Sequence, residues 1–265
     1  MPNILDFANL SENVYYNQPT APPGWERVNS KAPIKGITGF FGASYRHLKT
    51  KAFVIAFRGS EKPGDDAIRD WVVNDVAILS KMIPIAQVAE AEMFAAKEAG
   101  AVQGTVYITG HSLGGALAQI VAGNRKGALG VTFNAPGVRD HLFARTRSWS
   151  NGAGVVNIRV DGDPVSAYGQ HVGQAPITIG TSGITSAMSG AVQVMNSCMH
   201  GLFTGLSTGN PYFAMANATA SGMGTAGGLA VDTLKKAGTA HTMGAVFAAL
   251  HRNPIADRTA EALLR

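Results

Sequence analysis

A serine flanked by glycines lies near the middle of the chain, between an apolar β-type segment and an apolar helical segment. Residues 110–114 read Gly-His-Ser-Leu-Gly, with Ser112 at the centre. A strand that turns sharply into a helix at a serine is typical of a nucleophile elbow. Side chains at Gly110 and Gly114 would collide with the neighbouring strand and helix, so both positions must be small. The pattern predicts a strained turn that holds the Ser112 hydroxyl above a sheet, the alternative being a small-residue turn whose serine has no catalytic part.

The segments on either side of this turn predict strands and helices in alternation. Residues 52–57 are continuously apolar, as expected of a central strand that is covered on both faces. Residues 85–99 form an Ala/Glu-rich amphipathic pattern that ends at a glycine, which is typical of a helix. Further strands are predicted at 36–47, 51–57, 106–109, 130–133, 155–160 and 177–179, and further helices at 6–16, 115–122, 241–250 and 255–264. This alternation predicts an α/β fold, with a mainly parallel central sheet and helices on both faces.

Length and charge restrict the class of protein. With 265 residues, of which 46% are hydrophobic, the chain is large and apolar enough for one ordered α/β domain. Only 15% of the residues are charged, so the surface is poor in charge, and the net charge of +5 favours mild attraction to anionic surfaces such as phospholipid headgroups. No Lys/Arg-rich block with interleaved aromatic residues occurs, which argues against a nucleic-acid partner.

Cysteine usage and the N-terminal segment bear on the compartment. Cys198 is the single cysteine, which excludes an intramolecular disulfide and favours a buried, inert thiol. Residues 1–7 lack the basic and apolar regions of a secretory signal, and no run is long and apolar enough to predict a transmembrane helix. We therefore expect a cytoplasmic protein, or one exported without a cleaved signal peptide.

One long segment has an unusual composition. Residues 164–231 contain no Asp, Glu, Lys or Arg and are rich in Gly, Ala, Ser, Thr and Met. One interpretation is a set of small-residue helices packed closely on the sheet. The other is a mobile lid or a lipid-facing surface, because Met and Phe between Gly hinges adapt to acyl chains. We expect a single domain over residues 1–265, with a Gly/Ala/Met-rich lid or helical insertion around 180–231.

A nucleophilic hydroxyl requires a base, and the base requires an orienting carboxylate. In hydrolases built on this kind of sheet, the acid and the histidine follow the serine along the chain. The strand predicted at 155–160 is followed directly by Asp161 and Asp163. A carboxylate in this position lies at the carboxyl edge of the sheet, toward which the elbow also points. Asp163 is the predicted acid, and Asp161, one turn position nearer the strand, is the structural alternative.

Four histidines follow the acid and are candidates for the base. His171 lies in a Gly-rich loop, His200 lies in the uncharged segment, and His251 stands at the far end of a predicted helix. His241 begins that helix after a polar stretch, a position that gives a mobile imidazole above the sheet edge. Spacing alone does not decide among them, although His171 is the main competitor of His241. His111, which precedes the serine, is expected to point away from it and to pack or hydrogen-bond within the elbow.

The charge that develops on the substrate oxygen requires two hydrogen-bond donors. The Leu113 amide, at the start of the helix after the elbow, is one candidate. The other is expected after an earlier central strand, where the chain reads Phe-Arg-Gly-Ser and ends at Ser60. Arg58 in the same stretch is interpreted either as substrate-facing or as a salt-bridged structural residue.

Taken together, these segments resemble the fungal-type triacylglycerol lipases, the class 3 lipase family of α/β-hydrolases. The resemblance runs along much of the chain, and the segments that carry it are 54–60 (Val-Ile-Ala-Phe-Arg-Gly-Ser), Asp70 and Trp71 with Asn74 and Asp75, 110–115 (Gly-His-Ser-Leu-Gly-Gly), 132–136 (Thr-Phe-Asn-Ala-Pro), 157–165 around Asp163, and Ala240 with His241. It implies an α/β-hydrolase fold. The pair at 70–71 resembles the family's lid region, or a structural tie to its first helical turn.

The resemblance assigns a role to each candidate residue. It implies that Ser112 is the nucleophile, Asp163 the orienting acid and His241 the base, with Ser60 and Leu113 forming the oxyanion hole. Unlike the secreted fungal members, this chain is expected to have neither disulfides nor a signal. Residues 133–136 and 169–173 are more similar to bacterial phospholipase-type members, which include antibacterial effectors.

The expected function is therefore hydrolysis of lipid carboxylic esters, of the triacylglycerol lipase or phospholipase A type, through an acyl-enzyme. A lipid ester is the expected substrate, with transient contact with a lipid interface. No metal or organic cofactor is expected, because the polar clusters lack the spacing of Cys and His ligands. The alternatives are an esterase or thioesterase with a soluble substrate, and a non-catalytic, membrane-active α/β-hydrolase.

Overall fold

The computed structural model of the chain describes residues 1–16, 20–31, 38–59, 83, 85–100, 102–139, 154–163, 165–180 and 239–264. Within these ranges, seven strands form one sheet whose spatial order follows the order along the chain. The strands are β1 (Trp25–Lys31), β2 (Gly42–His47), β3 (Phe53–Phe57), β4 (Val106–His111), β5 (Ala128–Phe133), β6 (Val155–Val160) and β7 (Ile177–Ile179).

The sheet is antiparallel at one end and parallel in the remainder. β1 pairs with β2, and β2 with β3, in antiparallel fashion. All pairings from β3 to β7 are parallel. The prediction of a mainly parallel α/β sheet is therefore confirmed.

Helices cover both faces of the sheet because its central strands are buried on both sides. Every residue of β3 is buried, and its side chains alternate between two apolar clusters. Val54 and Ala56 join the cluster on one face, whereas Ile55 and Phe57 join the cluster on the other. The first face carries α1 (Ile4–Asn13), α4 (Met243–Leu250), a 3-10 helix (Pro254–Asp257) and α5 (Ala260–Leu263), and the second carries α2 (Ile85–Ala99) and α3 (Leu113–Asn124).

Helix α1 begins at a capping box. The Asn3 side chain accepts a hydrogen bond from the Asp6 amide, and the Asp6 carboxylate accepts one from the Asn3 amide. Further along, the Ser11 hydroxyl lies 2.9 Å from the Thr109 hydroxyl of β4, which fixes the helix on the sheet. This docking carries the residues that follow α1, including Tyr15, to the edge of the sheet where β4 ends.

Several predicted boundaries differ from the structure. Strand β1 was not predicted, because its sequence is polar and charged and lacks an apolar run, as suits an edge strand. The strand predicted at 36–47 begins only at Gly42 within the described part of that range. His241 does not begin a helix: Thr242 is the N-cap of α4, and its hydroxyl accepts from the Ala245 amide. His241 therefore lies in the connection that precedes the helix.

The predicted lid or insertion around 180–231 lies outside the described residues from residue 181 onward and remains a prediction. The single cysteine and His200 lie in the same range. Among the described residues, no helix combines the length and the apolar character needed to cross a bilayer.

Candidate active site

The site forms where the parallel strands end. Ser112 follows β4 and is the N-cap of α3, with φ of 57° and ψ of −127°. This is a strained conformation for a residue that has a side chain. The Ser112 amide donates to the Phe133 carbonyl at 3.0 Å, and its carbonyl accepts from the Ala116 amide at 3.0 Å. These two bonds hold the turn between the neighbouring strand and the helix.

Glycines make this turn possible because the backbones approach closely. A Cβ atom on Gly110 would overlap the backbone of Gly114, in the first turn of α3. A Cβ atom on Gly114 would overlap the Phe57 carbonyl at the end of β3. The prediction that both positions must be small is confirmed, and it identifies the helix and the strand with which larger residues would collide.

The structure brings Ser112, His241 and Asp163 together in one chain of hydrogen bonds. His241 Nε2 lies 2.8 Å from Ser112 Oγ, and His241 Nδ1 lies 3.0 Å from Asp163 Oδ1. Because a carboxylate accepts, Nδ1 carries the hydrogen and Nε2 is free to accept the hydrogen of the serine hydroxyl. The exposed fractions of the three residues are only 3, 5 and 2%, in the order serine, histidine, aspartate. Water screens such a buried chain weakly.

Asp163 is held as a carboxylate by the groups around it. Its Oδ1 also accepts from the Val165 amide at 3.1 Å, and its Oδ2 accepts from the Ser166 amide at 3.1 Å. Burial alone would raise the pKa of Asp163, but the charge and hydrogen bond of His241, with the bonds from Ser166 and Val165, hold it below its ordinary value. The site therefore contains a preorganised negative charge against the imidazole.

The alternative candidates for the acid and the base, Asp161, His171 and His251, form other contacts. The Asp161 amide donates to the Ile179 carbonyl at 2.9 Å on the edge strand, and the carboxylate that accepts from His241 is that of Asp163. His171 donates through Nε2 to the Ala135 carbonyl at 2.9 Å, and burial lowers its pKa. His251 is exposed and bonds through Nδ1 to the Phe247 carbonyl at the end of α4.

The structure describes one of the two predicted oxyanion donors. Leu113 is the first residue of α3, so its amide is among those at a helix start that have no acceptor within the helix. Ser60 lies outside the described residues, as do Asp70, Trp71, Asn74 and Asp75. Gly59 is described, and its amide donates to the Tyr15 hydroxyl at 3.1 Å.

Sequence reasoning gave His111 the wrong surroundings and missed Tyr15. His111 does not bond only within the elbow: Nε2 lies 2.7 Å from the His241 carbonyl, and Nδ1 lies 3.2 Å from the Tyr15 hydroxyl. The His111 and His241 rings lie with their centroids 5.0 Å apart. No local pattern reveals these contacts, because they join residues from three distant parts of the chain.

Sequence reasoning included Asn134 in one of the segments that carry the resemblance but assigned it no role. Asn134 follows β5 with φ of 46°, a left-handed conformation that Asn tolerates better than most residues. Its side chain donates to the Ala240 carbonyl at 2.9 Å and accepts from the Val160 amide at 2.8 Å. Asn134 thus connects the end of β6, which leads to Asp163, with the segment that carries His241.

Metal ligands are not grouped at this site. Across the described ranges, no three His, Cys, Asp or Glu side chains lie close enough to hold an ion together. The side chains of Ser112, His241 and Asp163 are bonded to one another, and the Asp163 carboxylate also accepts from backbone amides.

Comparison with known families identifies the family of the chain. The model of the Tle-like phospholipase domain, in the phospholipase-like group, matches residues 6–204. The chain belongs to this family. It is therefore a lipase-like α/β-hydrolase and a lipid ester hydrolase, as the resemblance predicted. The matched range includes Ser112 and Asp163 and ends before His241.

Solved structures of fungal lipases are similar to the chain at low identity. The Lip2 lipase of Yarrowia lipolytica is 18% identical, with 66% of this chain and 77% of that chain covered and a TM-score of 0.41. A triacylglycerol lipase from Penicillium expansum is 19% identical, with 69% and 79% covered and a TM-score of 0.45. No curated protein matches the sequence.

Proposed function

We propose that the protein cleaves fatty-acyl ester bonds of phospholipids, in the manner of a phospholipase A, through an acyl-enzyme on Ser112. The observation that carries this proposal is the chain of hydrogen bonds from Ser112 through His241 to Asp163, at 2.8 and 3.0 Å. A buried serine that donates to an imidazole, itself oriented by a carboxylate, is the arrangement that activates a hydroxyl at neutral pH.

The first half of the reaction forms the acyl-enzyme. Ser112 Oγ attacks the ester carbonyl while His241 Nε2 takes the hydroxyl proton, so a carbon–oxygen bond forms and a tetrahedral oxyanion develops. His241 then donates this proton to the leaving alcohol as the ester bond breaks. In the second half, water gives a proton to His241 as it attacks the acyl carbonyl. His241 then returns this proton to Ser112 Oγ as the acyl bond breaks, which releases the fatty acid and the free serine.

Asp163 acts on the charged state of the base. When His241 holds the extra proton, the imidazolium faces a carboxylate at 3.0 Å in a buried site. The low pKa of Asp163 keeps the carboxylate ionised, so it stabilises the imidazolium rather than taking its proton. The same hydrogen bond fixes the tautomer that leaves Nε2 able to accept from Ser112.

The oxyanion is bound by backbone donors. The Leu113 amide begins α3, where the helix dipole adds to its positive field. Ser60 follows Gly59 at the end of the stretch after β3 and is proposed as the second donor. Removing one donor of such a pair costs about 2.7 to 4 kcal/mol of transition-state stabilisation.

Charge and family favour a phospholipid substrate over a soluble ester. The chain belongs to a phospholipase-like family, carries a net charge of +5 and has only 15% charged residues. A weakly basic surface that is poor in charge suits approach to an anionic, apolar interface. We therefore expect phospholipid vesicles to be better substrates than triacylglycerol emulsions, and both to be better than soluble short-chain esters.

The test compares defined lipids and identifies the products by mass. The protein is incubated with vesicles of a phosphatidylglycerol/phosphatidylcholine mixture, with a triacylglycerol emulsion, and with a soluble p-nitrophenyl ester. We expect a free fatty acid and a lysophospholipid from the vesicles. Ser112→Ala lowers this rate on the order of a thousandfold or more, whereas the exposed-serine control Ser30→Ala leaves it unchanged. Parental release of fatty acid by Ser112→Ala would contradict the mechanism.

The other outcomes separate the alternatives. Hydrolysis of the emulsion alone would identify a triacylglycerol lipase, and hydrolysis of the soluble ester alone an esterase or thioesterase. Leakage of the vesicles by Ser112→Ala without any product would indicate a non-catalytic, membrane-active protein.

A further inference from the structure

The base lies in a turn immediately before the N-cap of α4, outside the named helices and strands. His241 precedes the N-cap of α4, and its ring must remain within 3.0 Å of two partners at once. A displacement of about 1 Å at such a group costs on the order of a hundredfold in rate. The contacts that hold this backbone therefore bear directly on catalysis.

Two side chains hold the peptide groups on either side of the His241 Cα atom. The Ala240 carbonyl, on one side, accepts from the Asn134 side-chain amide at 2.9 Å. The His241 carbonyl, on the other side, lies 2.7 Å from His111 Nε2, which donates because a carbonyl only accepts. With both flanking peptide groups fixed, the direction of the Cα–Cβ bond is fixed as well, and only the two side-chain torsions of the ring remain.

Asn134 is itself anchored to the strand that leads to the acid. Its amide donates to the Ile158 carbonyl at 2.9 Å, and its side-chain oxygen accepts from the Val160 amide at 2.8 Å. Val160 ends β6, three residues before Asp163. The side chain has no exposed surface, and both of its polar groups are used. Asn134 thus sets the distance between the segment that carries the acid and the segment that carries the base.

His111 is connected both to Ser112 and to the segment after β3 that precedes the proposed oxyanion donor Ser60. It precedes Ser112 in the chain, so its backbone moves with the elbow. With Nε2 as donor, Nδ1 accepts from the Tyr15 hydroxyl at 3.2 Å, and that hydroxyl accepts from the Gly59 amide at 3.1 Å. One chain of hydrogen bonds therefore runs from the Gly59 amide, just after β3, to the His241 carbonyl.

We infer that His111 and Asn134 are positioning residues, which hold the backbone of His241 so that its ring reaches Ser112 and Asp163 together. The inference rests on the proposed function, because it concerns the base of that reaction. Neither side chain takes part in proton transfer. Losing either donor should therefore lower kcat, because fewer molecules have the ring in place, and should leave KM nearly unchanged.

The variants remove one donor at a time. Asn134→Asp keeps the oxygen that accepts from Val160 but replaces the donor to Ala240 with an oxygen. His111→Leu removes the donor to His241, whereas His111→Gln retains an amide N–H near the position of Nε2. Asn157→Asp is the matched control, since Asn157 is a buried asparagine whose amide donates to the Val172 carbonyl at 2.8 Å.

The assay measures kcat and KM on a soluble p-nitrophenyl ester, with the folded fraction followed by circular dichroism. We expect Asn134→Asp and His111→Leu to lower kcat about 10- to 100-fold with KM within about twofold. We expect His111→Gln to recover most of the parental kcat, and Asn157→Asp to lower the melting temperature without this fall in kcat.

The results that would contradict this inference differ from those that would contradict the proposed function. Parental kcat in folded Asn134→Asp and in folded His111→Leu, with Ser112→Ala inactive, would overturn the inference and leave the function standing. An equal fall of kcat in Asn157→Asp would also overturn it. Parental activity in Ser112→Ala would overturn both. If His111→Leu fails to fold, the comparison of kcat between Asn134→Asp and Asn157→Asp tests the inference.

Discussion

Asp163→Asn is the substitution whose effect the structure defines most closely, because both carboxylate oxygens are in use. Oδ1 accepts from His241 at 3.0 Å and from Val165 at 3.1 Å, and Oδ2 accepts from Ser166 at 3.1 Å. An asparagine must turn its amide toward a backbone N–H in either orientation. A buried donor left facing another donor costs about 1–3 kcal/mol of folding free energy.

The two orientations predict different losses of activity. If the amide faces His241, the imidazole must carry its hydrogen on Nε2 and can no longer accept from Ser112, which costs about 10⁴-fold in kcat. If the amide NH2 group faces Ser166, His241 keeps its tautomer, but the negative charge of the carboxylate is lost. A charge-assisted hydrogen bond is worth about 1.5–3 kcal/mol, or about 10- to 150-fold in rate. We therefore expect kcat to fall by at least about tenfold.

The same substitution changes how stability depends on pH. The pKa of Asp163 in the folded chain lies below its ordinary value of 3.8, so its stabilisation is complete above that value. It is lost as the pH falls through the folded-state pKa, because the unfolded chain then binds more protons. The difference in unfolding free energy between parent and variant should be constant above about pH 5 and should shrink below about pH 4.

The measurements are ester hydrolysis at neutral pH and urea unfolding from pH 3 to 7. Asp161→Asn is the matched control, since Asp161 lies two residues away and its backbone bonds to the edge strand. We expect the control to retain parental kcat. An Asp163→Asn variant with kcat within twofold of the parent would refute the reasoning, as would an unfolding difference that does not change at acid pH.

Three further substitutions test other parts of the structure. Gly114→Ala drives a Cβ atom against the Phe57 carbonyl, so it should cost about 1–3 kcal/mol in urea unfolding and also lower kcat; parental stability would show that the elbow is less tightly packed. Tyr15→Phe removes the hydroxyl beside His111, and a bond worth about 0.5–1.5 kcal/mol predicts a kcat loss of no more than about 13-fold with KM unchanged; a change confined to KM would contradict this. Burial lowers the pKa of His171 in the folded chain, so stability should decline as the pH falls below the ordinary value of 6.5, where the unfolded chain takes up the proton. His171→Gln should flatten this decline in urea unfolding between pH 8 and 5, and an unaltered slope would exclude His171 as its source.

The elbow could be predicted from sequence because its residue pattern is local, even though one of its close contacts comes from another strand. Gly110 and Gly114 flank a serine between an apolar strand and an apolar helix, and a Cβ atom on either glycine overlaps backbone within the same turn or the adjacent strand. Asp163 could be placed at the carboxyl edge because it follows a parallel core strand. Positions fixed by the strand–turn–helix pattern need no knowledge of the remaining chain.

The surroundings of His241 could not be predicted in this way. Several histidines follow Asp163, and only the folded chain shows which one lies against Ser112. The contacts of Asn134 with Ala240 and of His111 with His241 join residues more than a hundred positions apart in sequence. Strand β1 was not predicted for a different, local reason. It is a polar edge strand and lacks the apolar run that marks central strands.

The most direct test of the central claim, that Ser112 is the nucleophile, is covalent labelling of Ser112. An alkyl p-nitrophenyl phosphonate reacts with an activated serine and stays bound, with release of p-nitrophenol. The account predicts one phosphonyl group per molecule, located on Ser112 by peptide mass mapping, with loss of esterase activity in proportion, and no label in Ser112→Ala. Inactivation with the label on another residue, or a fully labelled Ser112 that leaves lipid hydrolysis intact, would contradict it.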